Sequence, residues 1–292
     1  MKIERPIDIL VQRRGAIGDV IMTTGVVREL KKRYGADANI DIATDFAEVY
    51  RNNPHIRNIF PVDQIPAVNN WQMYINLDDA YEQNPTNHYV DNYFYRAFGS
   101  TDLDKSVELY PSAEDQHQVN ADIKEINNPY IVIHMRNWYW GAKNISINVW
   151  TDIFVKLFET RTDFSVVCVG GPTDYFFEHP LFVDARGKYN SQQLKHLCDH
   201  AQAFVGIDSG PFQCAAASST HIVALLTHLH PDRIVPFRHL ARTSAVPTLE
   251  DCAGCNDRQQ RPVRQVVCSK TTYPCVNNFD TATIAEAILE SL

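Results

Sequence analysis

The chain has 292 residues, of which 45% are hydrophobic and 21% charged, and its formal net charge is −8 at pH 7. This length accommodates two domains of ordinary size with a full hydrophobic core. The acidic balance argues against broad nucleic-acid binding, which needs a dense basic surface. No apolar run reaches the ~20 residues of a transmembrane helix. The first residues also lack the apolar core of a signal peptide, so we expect a cytoplasmic protein.

The first half of the chain alternates strand-like and helix-like segments. An apolar run predicts a buried strand over residues 7–11, a loop with two glycines follows, and residues 20–34 have helical spacing. The same alternation predicts strands at 39–43, 56–62 and 73–77 and helices at 46–52 and 89–98. A polar stretch at residues 112–128 then has the composition of a linker.

The alternating pattern restarts after this stretch. It predicts strands at 130–134, 165–169, 182–185, 203–207 and 222–226 and helices at 149–158, 191–201 and 282–292. Ser191 is expected to cap the second of these helices. Such alternation is typical of α/β layers with mainly parallel sheets, so we expect two similar halves with a cleft between them. Ligands of open α/β sheets lie beyond the carboxyl ends of the strands.

A tight turn of Asp208, Ser209, Gly210 and Pro211 joins the strand at 203–207 to a helical pattern of small residues. Proline fits the first helical turn, and Ser209 or Gly210 can cap the helix. Free backbone N–H groups and the positive end of the helix dipole would suit a phosphate or diphosphate there. An ordinary capped turn explains the same residues. Asp208 repels an anion, so it is expected to orient the loop or bind a hydroxyl.

The loop after the first strand contains Gly15 and Gly18, three residues apart, and no G-x-G precedes them. It is therefore not the dinucleotide-binding fingerprint. Asp19 stands at the start of the following helix, where the helix dipole favours an ionised carboxylate. Two interpretations fit this position: a helix cap, or a general base that faces the cleft.

Residues 14–30, which begin Arg-Gly-Ala-Ile-Gly-Asp-Val-Ile, resemble the opening of the ADP-heptose:lipopolysaccharide heptosyltransferases, glycosyltransferase family 9. Residues 53–56, 167–172, 187–197 and 208–225 resemble later elements of that family in the same order. The resemblance implies the GT-B fold, with two Rossmann-like domains facing a cleft, here at residues 1–118 and 119–292. It also implies an inverting transfer without a catalytic metal. The last helix is expected to cross back to the first domain.

The resemblance assigns roles to individual residues. Asp19 matches the base that takes the proton of the acceptor hydroxyl, and Lys143 matches a lysine that holds the donor diphosphate. A solvated surface lysine is the alternative for Lys143. The donor-binding residues implied are Gly15, Gly18, Asp208, Ser209, Gly210, Pro211 and Gln213. Gln213 stands where the family often has histidine, and residues 227–232 are altered as well, so the donor is only expected to be ADP-heptose-like.

The last part of the chain has four cysteines within a short span: Cys252, Cys255, Cys268 and Cys275. The first two have the spacing of a zinc knuckle, whereas the second pair is spaced more widely. A structural zinc site, free thiols and a disulfide all fit these residues. Arg258, Arg261, Arg264 and Lys270 lie between the cysteines, so a basic binding loop is a further interpretation.

Three functional classes remain open on the sequence. The first is a transferase that uses a nucleotide-diphosphate sugar donor and a glycan or lipid-linked glycan acceptor. The second is a glycosyltransferase that acts on modified nucleic acid, and the third is a non-catalytic nucleotide-sugar-binding protein or an epimerase. Trp138, Tyr139 and Trp140 lie close to Lys143 and could stack on a sugar or base, although core packing explains aromatic residues equally well.

Overall fold

The computed structural model describes residues 6–84, 86–126, 129–238, 242–255 and 267–292. The first of two sheets has four parallel strands in the order β3-β2-β1-β4. Its strands are β1 (Asp8–Gln12), β2 (Asn39–Ala43), β3 (Asn58–Phe60) and β4 (Met73–Asn76). The basic residues predicted at 258, 261 and 264 lie outside the described residues.

The second sheet has six parallel strands in the order β10-β9-β8-β5-β6-β7. Its strands are β5 (Tyr130–His134), β6 (Ser165–Cys168), β7 (Phe182–Asp184), β8 (Ala203–Gly206), β9 (His221–Leu226) and β10 (Thr243–Pro247). Residues 130–134 are buried along their whole length, as expected for a central strand covered on both faces. The sequence order thus changes direction at β5, whose neighbours are β6 and β8.

Nine α-helices are found in the described residues. They are α1 (Ile17–Ile21), α2 (Thr24–Tyr34), α3 (Tyr89–Phe98), α4 (Ala113–Glu125), α5 (Ile147–Thr160), α6 (Ser191–Asp199), α7 (Gly210–Ala216), α8 (Pro231–Ile234) and α9 (Thr281–Leu289). Short 3-10 turns occur at Ala47–Tyr50, Val62–Gln64, Val68–Asn70, Gly141–Lys143 and Pro274–Val276. One hydrophobic cluster includes Ile9 of the first sheet and Val132 of the second, so the two halves share a core.

The helix predicted over residues 20–34 is divided into α1 and α2. The Thr23 hydroxyl donates to the carbonyl oxygen of Val20, and the Thr24 hydroxyl donates to that of Ile21. Such hydrogen bonds to the preceding turn compete with the regular helix ladder. The helix predicted at 46–52 is likewise only the 3-10 turn Ala47–Tyr50.

The polar stretch predicted as a linker contains α4. Ser112 caps this helix, because its hydroxyl accepts from the Asp115 N–H while the Asp115 carboxylate accepts from the Ser112 N–H. Val119 is fully buried, and α4 packs against α6. The domain division expected between residues 118 and 119 falls inside this helix, and it stays a prediction.

Two further expectations differ from the structure. The cap of α6 is Asn190 and not Ser191, because the Asn190 side chain accepts from the Gln193 N–H at 2.9 Å. The last helix, α9, does not cross back to the first half. Its buried Ile284 and Ile288 belong to the core on one face of the second sheet, where α9 packs against α5.

Candidate active site

Asp19 lies in the first turn of α1 at the carboxyl end of β1. Its carboxylate accepts from the Tyr81 hydroxyl at 3.0 Å and from the Ala16 N–H at 3.2 Å, so it closes the helix start. Arg13 Nη2 lies 3.2 Å from Asp19 and 2.9 Å from Glu82. Burial disfavours the charged form of Arg13, but electrostatic interactions with Tyr93, Asp19 and Glu82 raise its pKa above the ordinary value. Asp19 is thus held in one orientation and stays partly exposed.

Lys143 ends the 3-10 turn Gly141–Lys143 that follows β5, and it forms an ion pair with Asp208. Its Nζ lies 2.6 Å from Asp208 Oδ2 and 3.3 Å from the Asp208 carbonyl oxygen. Burial opposes ionisation of Asp208, but the Lys143 ammonium holds the pKa of this carboxyl below its usual value. The expectation that Asp208 orients its loop becomes more specific: Asp208 orients Lys143.

Ser209 caps α7 and joins a buried network. Its hydroxyl oxygen accepts from the Phe212 N–H and lies 2.9 Å from His134 Nδ1, while His134 Nε2 lies 3.0 Å from Asp174 Oδ2. Burial opposes the charge on Asp174, but hydrogen bonds from His134 and two backbone N–H groups hold its pKa below the ordinary value. Nε2 of His134 can donate to this carboxylate, while Nδ1 lies within hydrogen-bond distance of the Ser209 hydroxyl.

Two cavities meet at these residues. The base cleft has a volume of ≈ 240 Å³ and is lined by Gly18, Asp19, Tyr81, Glu82, Arg136, Trp138, Tyr139, Lys143, Asp208, Ser209 and Gly210, among others. The strand-end pocket has a volume of ≈ 260 Å³, and its lining includes Arg136, Trp138, Gly170, Asp174, Asn190, Leu194, Gly210 and Pro211. Asp19 comes from the first half of the chain and Lys143 from the second. The base cleft therefore brings together the predicted base and the lysine predicted to hold the diphosphate.

Residues 70–262 match the sequence model of glycosyltransferase family 9 (heptosyltransferase). The chain belongs to this family. It is a glycosyltransferase with two mainly parallel sheets, so the family and the α/β, GT-B fold class expected from the sequence are confirmed. Comparison with curated protein sequences finds no match.

Solved structures share the fold of this family 9 glycosyltransferase at low identity. A glycosyltransferase family 9 protein from Veillonella parvula is 17% identical, with a TM-score of 0.74 and coverage of 99% of both chains. The dodecameric iron-containing heptosyltransferase TibC of enterotoxigenic Escherichia coli, in complex with ADP-D-beta-D-heptose, is 16% identical over 99% of this chain and 77% of its own, with a TM-score of 0.72. ADP-heptose lps heptosyltransferase II of E. coli is 16% identical over 97% and 99%, with a TM-score of 0.66.

The remaining predicted donor-binding residues of the glycosyltransferase have identifiable contacts. Gly15 has φ +103°, and a Cβ there would lie 2.9 Å from Asp19 Oδ2. A Cβ on Gly18 would lie 3.3 Å from Gln213 Cγ, so Gly18 permits the close packing of α1 on α7. Gln213 Nε2 donates to Asp208 Oδ1 at 3.4 Å. Among these described residues, Gly15 and Gln213 line neither cavity. Gly15 lies against Asp19, and Gln213 is hydrogen-bonded to Asp208.

The four late cysteines of the glycosyltransferase line one small cavity together with Trp140 and His228. None of them forms a disulfide within the described residues. Burial and the neighbouring thiols of Cys252, Cys255 and Cys268 raise the pKa of Cys275 to about 12. Possible metal-ligand atoms of Glu250, Asp251 and Cys252 also lie close together. Their two carboxylates are already paired with Lys270, whose Nζ lies 2.9 Å from Glu250 and 2.6 Å from Asp251.

His134, Arg136 and Asp174 are site residues that no sequence motif indicated. His134 ends β5, Arg136 follows two residues later, and Asp174 lies in the loop after β6. Their position at the carboxyl ends of neighbouring strands was the signal that could have identified them. Among the helices described, none has the length and apolar character needed to cross a membrane.

Proposed function

We propose that this family 9 glycosyltransferase moves a sugar from a nucleotide-diphosphate donor to a hydroxyl of a glycan or lipid-linked glycan, with inversion at the anomeric carbon. The observation that carries the proposal is that Asp19 and Lys143, from opposite halves of the chain, line one cleft. A carboxylate beside the acceptor and a cation beside the leaving group are the two charges that a direct displacement needs.

In the proposed reaction the acceptor oxygen attacks the anomeric carbon from the face opposite the diphosphate. Asp19 accepts the hydroxyl proton as the new bond forms, and the bond from the anomeric carbon to the diphosphate oxygen breaks with its electron pair on the diphosphate. Tyr81 and Arg13 keep the carboxylate oriented through the contacts described above. The step needs no catalytic metal, because Lys143 can stabilise the charge that develops on the leaving group.

The strand-end pocket is the proposed site of the donor nucleoside. It adjoins the base cleft, and both cavities share Arg136, Trp138 and Gly210. Asp174 lines this pocket, and its carboxylate oxygens can accept hydrogen bonds from the hydroxyl groups of a ribose. TibC was solved with ADP-D-beta-D-heptose and another neighbour, E. coli heptosyltransferase WaaC, with ADP, which supports an ADP-heptose-like donor.

Two exposed aromatic rings support a carbohydrate acceptor. The side chains of Trp138 and Tyr139 are 51% and 89% exposed, and both line the base cleft. The Trp138 backbone is nevertheless fixed: its N–H donates to Asn144 Oδ1 at 3.0 Å, and the Asn144 amide donates to its carbonyl oxygen. Exposed aromatic rings of this kind can stack on the apolar face of a sugar.

The proposal is tested by measuring release of nucleoside diphosphate from ADP-heptose and from UDP-, GDP- and ADP-glucose. We expect release from one donor to be accelerated by a lipopolysaccharide-core oligosaccharide and to be unaffected by EDTA. The anomeric proton coupling in the NMR spectrum of the product reports inversion. If no donor is consumed with any glycan acceptor offered, the proposal is wrong.

The cavity of Cys252, Cys255, Cys268 and Cys275 is the proposed site of a structural metal, zinc or iron. Four thiolates can hold either metal, and a cation among them would favour the thiolate form of Cys275 against the burial and the neighbouring thiols that raise its pKa. TibC is described as iron-containing. A metal here would cross-link the chain between Cys252 and Cys275 and would take no part in the transfer.

Elemental analysis and the melting temperature test the metal site. The purified protein is expected to contain a stoichiometric amount of zinc or iron, and Cys252→Ser should lose it and melt at a lower temperature. Cys168→Ala, which changes a buried cysteine of β6, is the control and should retain the metal. A metal content equal in both variants would contradict the assignment.

A further inference from the structure

Arg136 occupies the junction of the two cavities. It lies two residues beyond β5, the central strand of the second sheet, and it contributes to the lining of both the strand-end pocket and the base cleft. Its Cζ lies 5.5 Å from the centre of the Trp138 ring, an arrangement in which the ring and the cation attract each other. A ligand that extends from one cavity into the other must pass this guanidinium.

Two other cations, Lys143 in the base cleft and Arg13 beside Asp19, are already paired. Arg13 lies against the carboxylates of Asp19 and Glu82 at 3.2 Å and 2.9 Å. Lys143 lies 2.6 Å from Asp208. Within the part of the chain that the structure describes, these three carboxylates and two cations leave a net negative charge. A further cation would therefore favour the binding of a diphosphate.

Among the described cations at the base cleft, Arg136 is the one that forms no ion pair. Among the described residues, no salt bridge or hydrogen bond engages its guanidinium, in contrast to Arg13 and Lys143. Burial lowers its pKa below the ordinary value, and the more distant Asp208 and Asp174 oppose this effect only in part. A partly desolvated guanidinium without a bonded carboxylate gains most from an anion that brings its own negative charge.

We propose that Arg136 binds the donor diphosphate and is the residue by which this enzyme distinguishes a nucleoside diphosphate from a nucleoside. This inference rests on the proposed function and extends it, because Arg136 adds a second cation to Lys143, whose charge is shared with Asp208. The planar guanidinium can donate two parallel hydrogen bonds to phosphate oxygens, which a lysine cannot do. Arg136 then defines the border between the nucleoside in one cavity and the sugar in the other.

Calorimetric titration with adenosine, AMP and ADP tests the role of Arg136. We expect Arg136→Ala to lose at least ~10-fold in ADP affinity, the effect of one charge-assisted contact, and to keep the adenosine affinity of the wild type. Retained adenosine binding also demonstrates that the variant is folded. Arg136→Lys should recover only part of the loss, because it restores the charge but not the paired hydrogen bonds.

The matched control is Arg161→Ala. This arginine lies directly after α5 and is paired with Asp163, outside both cavities, so its removal should leave all three affinities unchanged. If wild type and Arg136→Ala bind ADP equally well, the role of Arg136 is overturned while the proposed function stands. If the wild type binds none of ADP, GDP, UDP and CDP, the proposed function fails and this inference fails with it.

Discussion

Lys143 Nζ lies 2.6 Å from Asp208 Oδ2, although 65 residues separate the two in the chain. The turns that carry them follow β5 and β8, which are neighbours in the second sheet. Both side chains are largely buried, with 12% and 11% exposed. The lysine proposed to hold the diphosphate is therefore partly neutralised, and an incoming anion must share it with Asp208.

Removal of Lys143 alone should be more harmful than removal of the pair. Lys143→Ala leaves a buried, unpaired carboxylate, which costs about 3 kcal/mol of stability. The double variant Lys143→Ala/Asp208→Asn removes that charge, so we expect it to recover most of the stability and part of the ADP affinity. Urea unfolding and ADP titration measure both effects. A double variant as unstable as Lys143→Ala would contradict the pairing.

Asp19→Asn should abolish turnover and leave donor binding intact. Asparagine keeps the size of the side chain but cannot take the proton from the acceptor hydroxyl, so we expect a loss in kcat of about 10²–10⁴-fold. Glu82→Gln is the control, because Glu82 shares Arg13 with Asp19 and should cost far less. Kinetics with saturating donor and ADP titration separate the two properties. Near-normal turnover of Asp19→Asn would show that Asp19 is not the base.

Tyr139→Ala should affect the acceptor and not the donor. The ring is almost fully exposed at the base cleft, so its loss removes a stacking surface without disturbing the core. A stacking contribution of about 0.5–1.5 kcal/mol corresponds to a KM for the glycan raised roughly 2–10-fold. Tyr139→Phe keeps the ring and should retain the wild-type KM. An equal increase in the KM of the donor would contradict the assignment.

His88 predicts loss of stability in acid. Burial lowers its pKa from 6.5 to about 4. Nδ1 of the neutral ring accepts from the Val90 N–H and caps α3, while Nε2 lies 3.0 Å from the Val235 carbonyl oxygen. Between these two pKa values the unfolded chain binds the extra proton. The contribution of neutral His88 to stability is therefore complete above about pH 6.5 and is lost as the pH drops towards about 4.

The contribution of His88 is measured by urea unfolding at about pH 7.5 and about pH 4.5. His88→Gln should destabilise the protein less at the lower pH than at the higher, because the variant lacks the titrating group. His117→Gln, which alters an exposed side chain of α4, is the control. The same pH dependence in wild type and His88→Gln would exclude His88 as the source.

Gly141→Ala should disturb the turn that carries Lys143. A Cβ at this position would lie 2.7 Å and 2.8 Å from ring atoms of Tyr273, in the segment that contains the late cysteines. Overpacking of this kind costs about 1–3 kcal/mol, and the displaced turn should also weaken ADP binding. Gly141→Ala/Tyr273→Ala removes the clash and should restore ADP affinity relative to Gly141→Ala. If the double variant does not recover ADP affinity, the clash with Tyr273 is not the cause of the weakened binding.

Elements with a clear local pattern were predicted well from the sequence. The strands at 39–43 and 130–134 and the helix at 89–98 are confirmed to the residue. The helix within 112–128 was missed because its polar residues hide the buried Val119, although Ser112 and Asp115 form a capping box. The helix at 20–34 was predicted unbroken because the hydroxyl groups of Thr23 and Thr24 have no effect on hydrophobic spacing.

The sequence by itself determined the family, the fold class and the two turns that carry Asp19 and Asp208, because these depend on residues adjacent in the chain. Only the tertiary structure decided which charges are paired. Strands β6 and β8 flank β5, so Asp174 and Ser209 meet His134 and Asp208 meets Lys143. Among the described residues, the same strand order leaves Arg136 without a bonded carboxylate. The order of the strands brings together side chains that are tens of residues apart in the chain, and no local sequence pattern encodes such contacts.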